Sequence, residues 1–173
     1  MTIIRNASQD DAGRLLEIYA PYVLNTAITF EYEVPSIEEF QRRIVQTQRK
    51  FPYLVAEKNG EIVGYTYAGV FKARPAYDRC VETSIYIDAT CHHQGIGRLL
   101  YDALEERLKS MGILNANACI SWTDTPDGYL THESPLFHEK LGYTKVAHFH
   151  QCGYKFNRWY DMIWMEKMLG EHI

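Results

Sequence analysis

The sequence predicts an α/β (α+β) chain, a mixed sheet with helices on its faces, forming one domain over residues 1–173. Three observations predict it: strand-like and helix-like apolar patterns in the order β-α-α-β-β-β-α-β-α-β-β, an Asn59-Gly60 dipeptide between two β-prone runs, and a two-glycine loop between a strand and a long amphipathic helix. Residues 2–6 (T-I-I-R-N) read as the first strand. Ser8 with Asp11 forms a capping-box pattern, and Leu15, Leu16, Ile18, Tyr19, Tyr22 and Val23 carry a helical stripe behind it. Ser36 with Glu39 repeats the signature and opens a second helix, whose arginines read as a solvated face. The runs Y-L-V-A-E-K and E-I-V-G-Y-T-Y-A-G-V flank Asn59-Gly60 as a hairpin, because both turn residues tolerate positive φ. A strand at about 81–88 follows. Leu99, Leu100, Ala103, Leu104, Leu108 and Met111 then mark one face of a long helix ending at Gly112. Residues 115–121 read as a strand, 134–141 as a short helix, and 144–152 with 159–167 as a closing strand pair.

Composition narrows the function. The 173 residues are 46% hydrophobic and 23% charged, with 18 basic against 22 acidic side chains and a net charge of -4. That balance argues against a nucleic-acid binder, which needs a concentrated basic surface. No apolar run approaches the roughly 18 residues of a membrane helix, and the N-terminus lacks a signal-peptide core. Cys80, Cys91, Cys119 and Cys152 are scattered without a paired spacing, which fits a reducing compartment and a cytoplasmic location. Cys91 precedes a helix start and is a secondary candidate nucleophile. His148, His150 and Cys152 share a strand face but have no convincing fourth ligand, so no metal is expected.

The chemistry concentrates in His92-His93-Gln94-Gly95-Ile96-Gly97-Arg98. Its glycines let backbone N–H groups turn outward at a helix's positive end, an anion site suited to a pyrophosphate. A Walker loop would need Lys and Ser or Thr where Arg98 and Leu99 stand. A dinucleotide fingerprint would need a small residue at Leu100 and an acid on the following strand, and residues 113–120 contain none.

With the strands and helices around it, the loop resembles that of the GNAT superfamily of N-acetyltransferases, [R/Q]-x-x-G-x-[G/A], with His92 at the first position. The segments Y-A-G-V-F-K-A-R-P-A-Y-D (67–78), V-E-T-S-I-Y-I (81–87), F-H-E-K-L-G-Y (137–143) and G-Y-K-F-N-R-W-Y-D (153–161) are similar to the phosphinothricin acetyltransferase branch, over nearly the whole chain. The resemblance implies a mainly antiparallel central sheet and acetyl-CoA as co-substrate. It gives Ile85, Tyr86 and Ile87 to the pantetheine arm, and His93, Gln94, Gly95, Ile96, Gly97 and Arg98 to the pyrophosphate. Thr131 stands where the family commonly has an Asn that contacts the pantetheine arm, and the 122–133 loop looks longer than the branch norm. Glu82 matches the branch's candidate general base, and His138 the place of the acid that protonates the departing thiolate.

The implied reaction is acetyl transfer to the primary amine of a small amino-acid-like acceptor, of the phosphinothricin or methionine sulfoximine type, by direct attack in a ternary complex. Arg74, held extended by Pro75, is the candidate carboxylate grip, with Phe30 and Tyr77 as apolar walls. The resemblance implies a homodimer. Acetylation of peptide N-termini or an amine antibiotic is the nearest alternative. A non-catalytic acyl-CoA sensor is the more distant one, and Glu82 with His138 argues against it.

Overall fold

A computed structural model describes residues 1–173, and the strands and helices follow in the expected order. β1 spans Thr2–Asn6, and a 3₁₀ turn then leads into α1 (Ala12–Asn25). There Asp11 accepts the Ser8 N–H at 2.7 Å and pairs with Arg5 at 2.8 Å. Ser36 caps α2 (Ile37–Gln48), its Oγ accepting the Glu39 N–H at 3.1 Å. The hairpin of β2 (Tyr53–Lys58) and β3 (Glu61–Val70) turns on Asn59 and Gly60, at φ 53° and 81°. Beyond it lie β4 (Cys80–Ile87), α3 (Ile96–Ser110), β5 (Asn115–Trp122), α4 (Glu133–Lys140), β6 (Thr144–Lys155) and β7 (Arg158–Met168).

The strands form one sheet in the order β1-β2-β3-β4-β5-β7-β6, antiparallel throughout except for β4 and β5. Parallel neighbours need a crossover, and α3 supplies it. Beneath α3, Leu100, Leu104, Leu108, Val81, Ala116, Ala118 and Ile163 build a largely aliphatic core. The opposite face, under α1 and α2, is rich in aromatics: Tyr19, Tyr22, Phe40, Tyr53 and Tyr65 pack there.

The α3 stripe differs from expectation. Leu99 is exposed and Met111 lies past the helix end, also exposed; Ile96 and Tyr101 take their places inside. Positions 96, 100, 104 and 108 follow the helical repeat, whereas Leu99 is a full 100° step away from Leu100.

The β4–β5 ladder positions the site. It pairs only Cys80 to Thr83 with Asn115 to Ala118. Beyond those four pairs the strands part, so β3 is the only strand paired with residues 84–87 of β4, and Ser84 to Tyr86 border a cleft on the other side.

Candidate active site

The cleft is lined by Thr83, Ser84, Ile85 and Tyr86 of β4, by Ala118 to Ser121 of β5, and by Thr131, Ser134, His138 and Tyr101. Unpaired strand edges present N–H and C=O groups to any extended chain laid between them. An amide-bearing arm fits that geometry. The expected Ile85, Tyr86 and Thr131 therefore border one opening, although the Tyr86 ring itself packs among Tyr19, Tyr22 and Tyr65. The expected Ile87 lies outside that lining, its carbonyl accepting the Tyr22 hydroxyl.

At one end of the cleft, the loop before α3 is held in shape by left-handed residues, His93 at φ 60° and Gly95 at φ 77°. Gly95 is the N-cap and offers no side-chain acceptor, so the first N–H groups of this 15-residue helix have no capping partner. A Cβ on Gly95 would meet nothing within 4 Å, which leaves room for a phosphate. These features fit the pyrophosphate of acetyl-CoA. Gln94 is tied to Lys58 at 2.7 Å, and Arg98 donates to the Lys140 carbonyl at 3.3 Å. Ile96 buries its side chain in the core and offers only its main chain. Gly97 has a different reason from the one its loop position suggests: a Cβ there would lie 2.8 Å from the Phe137 ring of α4, so packing between α3 and α4 requires it.

His138 is 2% exposed and fully engaged. Its Nδ1 donates to the Ser134 carbonyl at 2.7 Å, which leaves Nε2 to accept the Tyr101 hydroxyl at 2.8 Å. Burial pushes its pKa down to about 4, against a weaker upward pull from Ser134. The imidazole is therefore neutral at pH 7, with its one N–H already committed. Tyr101, absent from the residues expected at the site, completes this pair; its signal in the sequence is a polar-tipped aromatic among the leucines of α3.

Glu82 lies on the opposite face of the sheet, half-buried, two positions from Ser84 along β4. Burial raises its pKa, and the Lys72 ammonium partly offsets the shift. A carboxylate with a raised pKa beside a cleft is suited to take a proton from an ammonium. Cys119, also on the cleft wall, has its thiol pushed up to about 12 by burial and by the Glu82 charge. A thiol that stays protonated is a poor nucleophile, which disfavours an acyl-enzyme. Cys91 packs against the aliphatic core from a separate 3₁₀ turn and is not at the start of α3.

The expected acceptor residues do not form one group. Arg74 is exposed and extended before Pro75, at φ -90° and ψ 141°. The neighbouring Asp78 pairs with Lys50 at 3.0 Å and not with Arg74. Tyr77 packs edge-on to Phe71, which meets Trp164. Phe30 sits elsewhere, in a small cluster with Ala27, Leu130 and Tyr160, over a Gly153 too close to bear a side chain. The 122–133 loop is firmly held: Asp127 accepts the Tyr129 and Leu130 N–H groups and the Tyr160 hydroxyl, all at 2.8 Å, and pairs with Arg158.

A parted parallel strand pair above an uncapped helix start defines an acyl-CoA-type transferase fold. Residues 4–164 match the acetyltransferase (GNAT) domain family, and the chain belongs to it. It is an acetyl-CoA-dependent N-acetyltransferase. It is 31% identical to the phosphinothricin N-acetyltransferase of Streptomyces viridochromogenes, over 92% of this chain and 83% of that protein. It is 28% identical to the L-methionine sulfoximine/L-methionine sulfone acetyltransferase of Salmonella typhimurium, over 98% and 95%. A phosphinothricin acetyltransferase from Sinorhizobium meliloti, solved with acetyl-CoA, superposes with a TM-score of 0.88 at 32% identity, covering 98% of this chain and 89% of that one.

Proposed function

We propose that the chain acetylates the primary amine of a small amino-acid-like acceptor, of the phosphinothricin or methionine sulfoximine type, by direct attack in a ternary complex. The observation that carries the reading is Glu82, a half-buried carboxyl of raised pKa next to the place where β4 and β5 part. Relatives named for those two acceptors, matched over nearly all of the chain, support the acceptor class.

The loop amides of His93 to Arg98 hold the pyrophosphate, and the edge of β4 from Ile85 toward Ile87 aligns the pantetheine arm, with Thr131 on the far wall. The bound group supplies the acetyl thioester. Glu82 takes the ammonium proton, directly or through one water, and frees the amine lone pair. Holding both reactants in register is worth up to about 7–11 kcal/mol of the barrier. The neutral state of His138 argues for a positioning role: it orients the Tyr101 hydroxyl, which can turn to donate a hydrogen bond to the departing thiolate sulfur, while the proton that Glu82 takes from the amine returns to the thiolate through solvent. Arg74, with no acidic partner, grips the acceptor carboxylate at the mouth of the pocket.

The same reading makes the chain a single cytoplasmic domain that works as a homodimer. No helix is long and apolar enough to cross a membrane, and Phe149, Tyr154 and Trp159 lie exposed on the β6–β7 hairpin at the sheet edge. A panel of amines scored by thiol release from acetyl-CoA tests the function. Turnover on amino-acid analogues above that on peptides and simple amines is expected; a preference for peptide N-termini would overturn the acceptor class.

A further inference from the structure

A second cluster of chemically capable side chains lies away from the cleft. His148 and His150 alternate along β6, and their rings stack at 4.3 Å between centroids and 12° between planes. The strand pair is irregular between Phe149 and Gly153, where Gln151 adopts φ 48°. That irregularity takes Cys152 out of the set, with its Sγ nearest the Phe149 carbonyl at 3.8 Å. The third donor comes from across the ladder: Asp161 Oδ2 of β7 lies 2.7 Å from His148 Nε2.

The donor atoms of His148, His150 and Asp161 all lie within 4.8 Å of one another. Nitrogen and oxygen donors bound at about 2.0–2.2 Å to one ion sit at most about 4.4 Å apart, so a small side-chain rotation gathers these three. His150 is exposed and free to make that rotation. The carboxylate is already aimed, because its other oxygen, Oδ1, accepts the Gln151 N–H at 2.8 Å. Outer contacts of this kind fix ligand orientation in metal sites.

We propose that His148, His150 and Asp161 bind a divalent transition-metal ion, Zn²⁺ in preference to Mg²⁺ or Ca²⁺. Two imidazoles and a carboxylate suit a borderline ion, and the hard cations prefer all-oxygen sets. The ion takes the place of the direct contact now made between His148 Nε2 and Asp161 Oδ2. None of the three residues lines the acetyl-transfer cleft. Asp161 stands opposite Trp122, while Glu82 stands opposite Asn117, five residues earlier on β5; an odd separation along a strand puts Asp161 on the face of the sheet opposite Glu82. Binding ties β6 to β7 at its irregular point.

Calorimetric titration of chelator-stripped, tag-free protein with Zn²⁺ tests the site. Saturable one-to-one binding is expected. His150→Ala removes an exposed side chain and leaves the fold intact; it and Asp161→Asn should each weaken binding at least about tenfold. Cys152→Ser should bind as wild type. No saturable binding, wild-type affinity in His150→Ala, or loss in Cys152→Ser would each overturn the assignment.

Discussion

His138 and Glu82 occupy opposite sides of one sheet, and burial drives both toward their neutral forms, the histidine's pKa down and the carboxyl's up. Their surroundings differ in completeness. Both nitrogens of His138 already have protein partners, Ser134 and Tyr101, whereas Glu82 has only the charge of Lys72 nearby. A group the protein has finished is a structural part of the site. One left with open valence beside a cleft is where a ligand is to be met.

The sharpest test of that contrast is Glu82→Gln. It should lower kcat by about 10²–10⁴-fold at neutral pH, with partial recovery at alkaline pH where free amine is supplied by solution. In the wild type, activity should fall with acid through a limb above the ordinary carboxylate value of 4.5, because Glu82 must be ionised to act. A pH–rate profile for Glu82→Gln identical to wild type would remove Glu82 from the mechanism.

His138 should register in stability instead. Its folded pKa of about 4 lies below its ordinary value of 6.5, so between those pH values the unfolded chain binds more protons than the native one. Stability is therefore fully present above pH 6.5 and is lost as pH falls toward 4, by roughly 3 kcal/mol from this group. Urea unfolding at pH 7 and pH 5 should show the loss in wild type and a smaller one in His138→Gln; equal slopes would mean that the imidazole is not as enclosed as described.

Gly97→Ala places a methyl 2.8 Å from the Phe137 ring and should cost about 1–3 kcal/mol, while raising KM for acetyl-CoA as α3 and α4 are pushed apart. A Phe137→Ala partner change should relieve the clash and recover part of the KM effect. Smallest is Arg74→Ala. Removing an exposed fork should raise KM for acceptors that carry a carboxylate by about tenfold, leave KM for acetyl-CoA unchanged, and spare amines without one. Equal effects on both amine classes would end the carboxylate reading.

The strand and helix order was legible from the sequence because it depends on local signals: Asn59-Gly60, the Ser36–Glu39 cap, and the spacing of Leu100, Leu104 and Leu108. The two-glycine turn before α3 was legible for the same reason. What escaped depends on contacts across the fold. Gly97 reads as a ligand-facing glycine until Phe137, 40 residues on, is brought against it. Tyr101 reads as one more apolar residue until His138 faces it. Phe30 and Tyr77 share an aromatic character but not a neighbourhood, since their partners, Tyr160 and Phe71, lie in different clusters.

The short β4–β5 ladder also governs how the two parts of the sheet move together. Its four pairs are the one strand pairing between β1–β4 and β5-β7-β6, and α3 packs on β1 to β4. Apart from the apolar layer beneath α3, the halves meet at a narrow hinge line. They should open as two cooperative units, each with its own free energy of local unfolding. A molecule lodged in the gap and bonded to both walls acts as a staple across that line. Acetyl-CoA should thus slow amide exchange in β7 and β6, strands beyond the loop proposed to hold its phosphates.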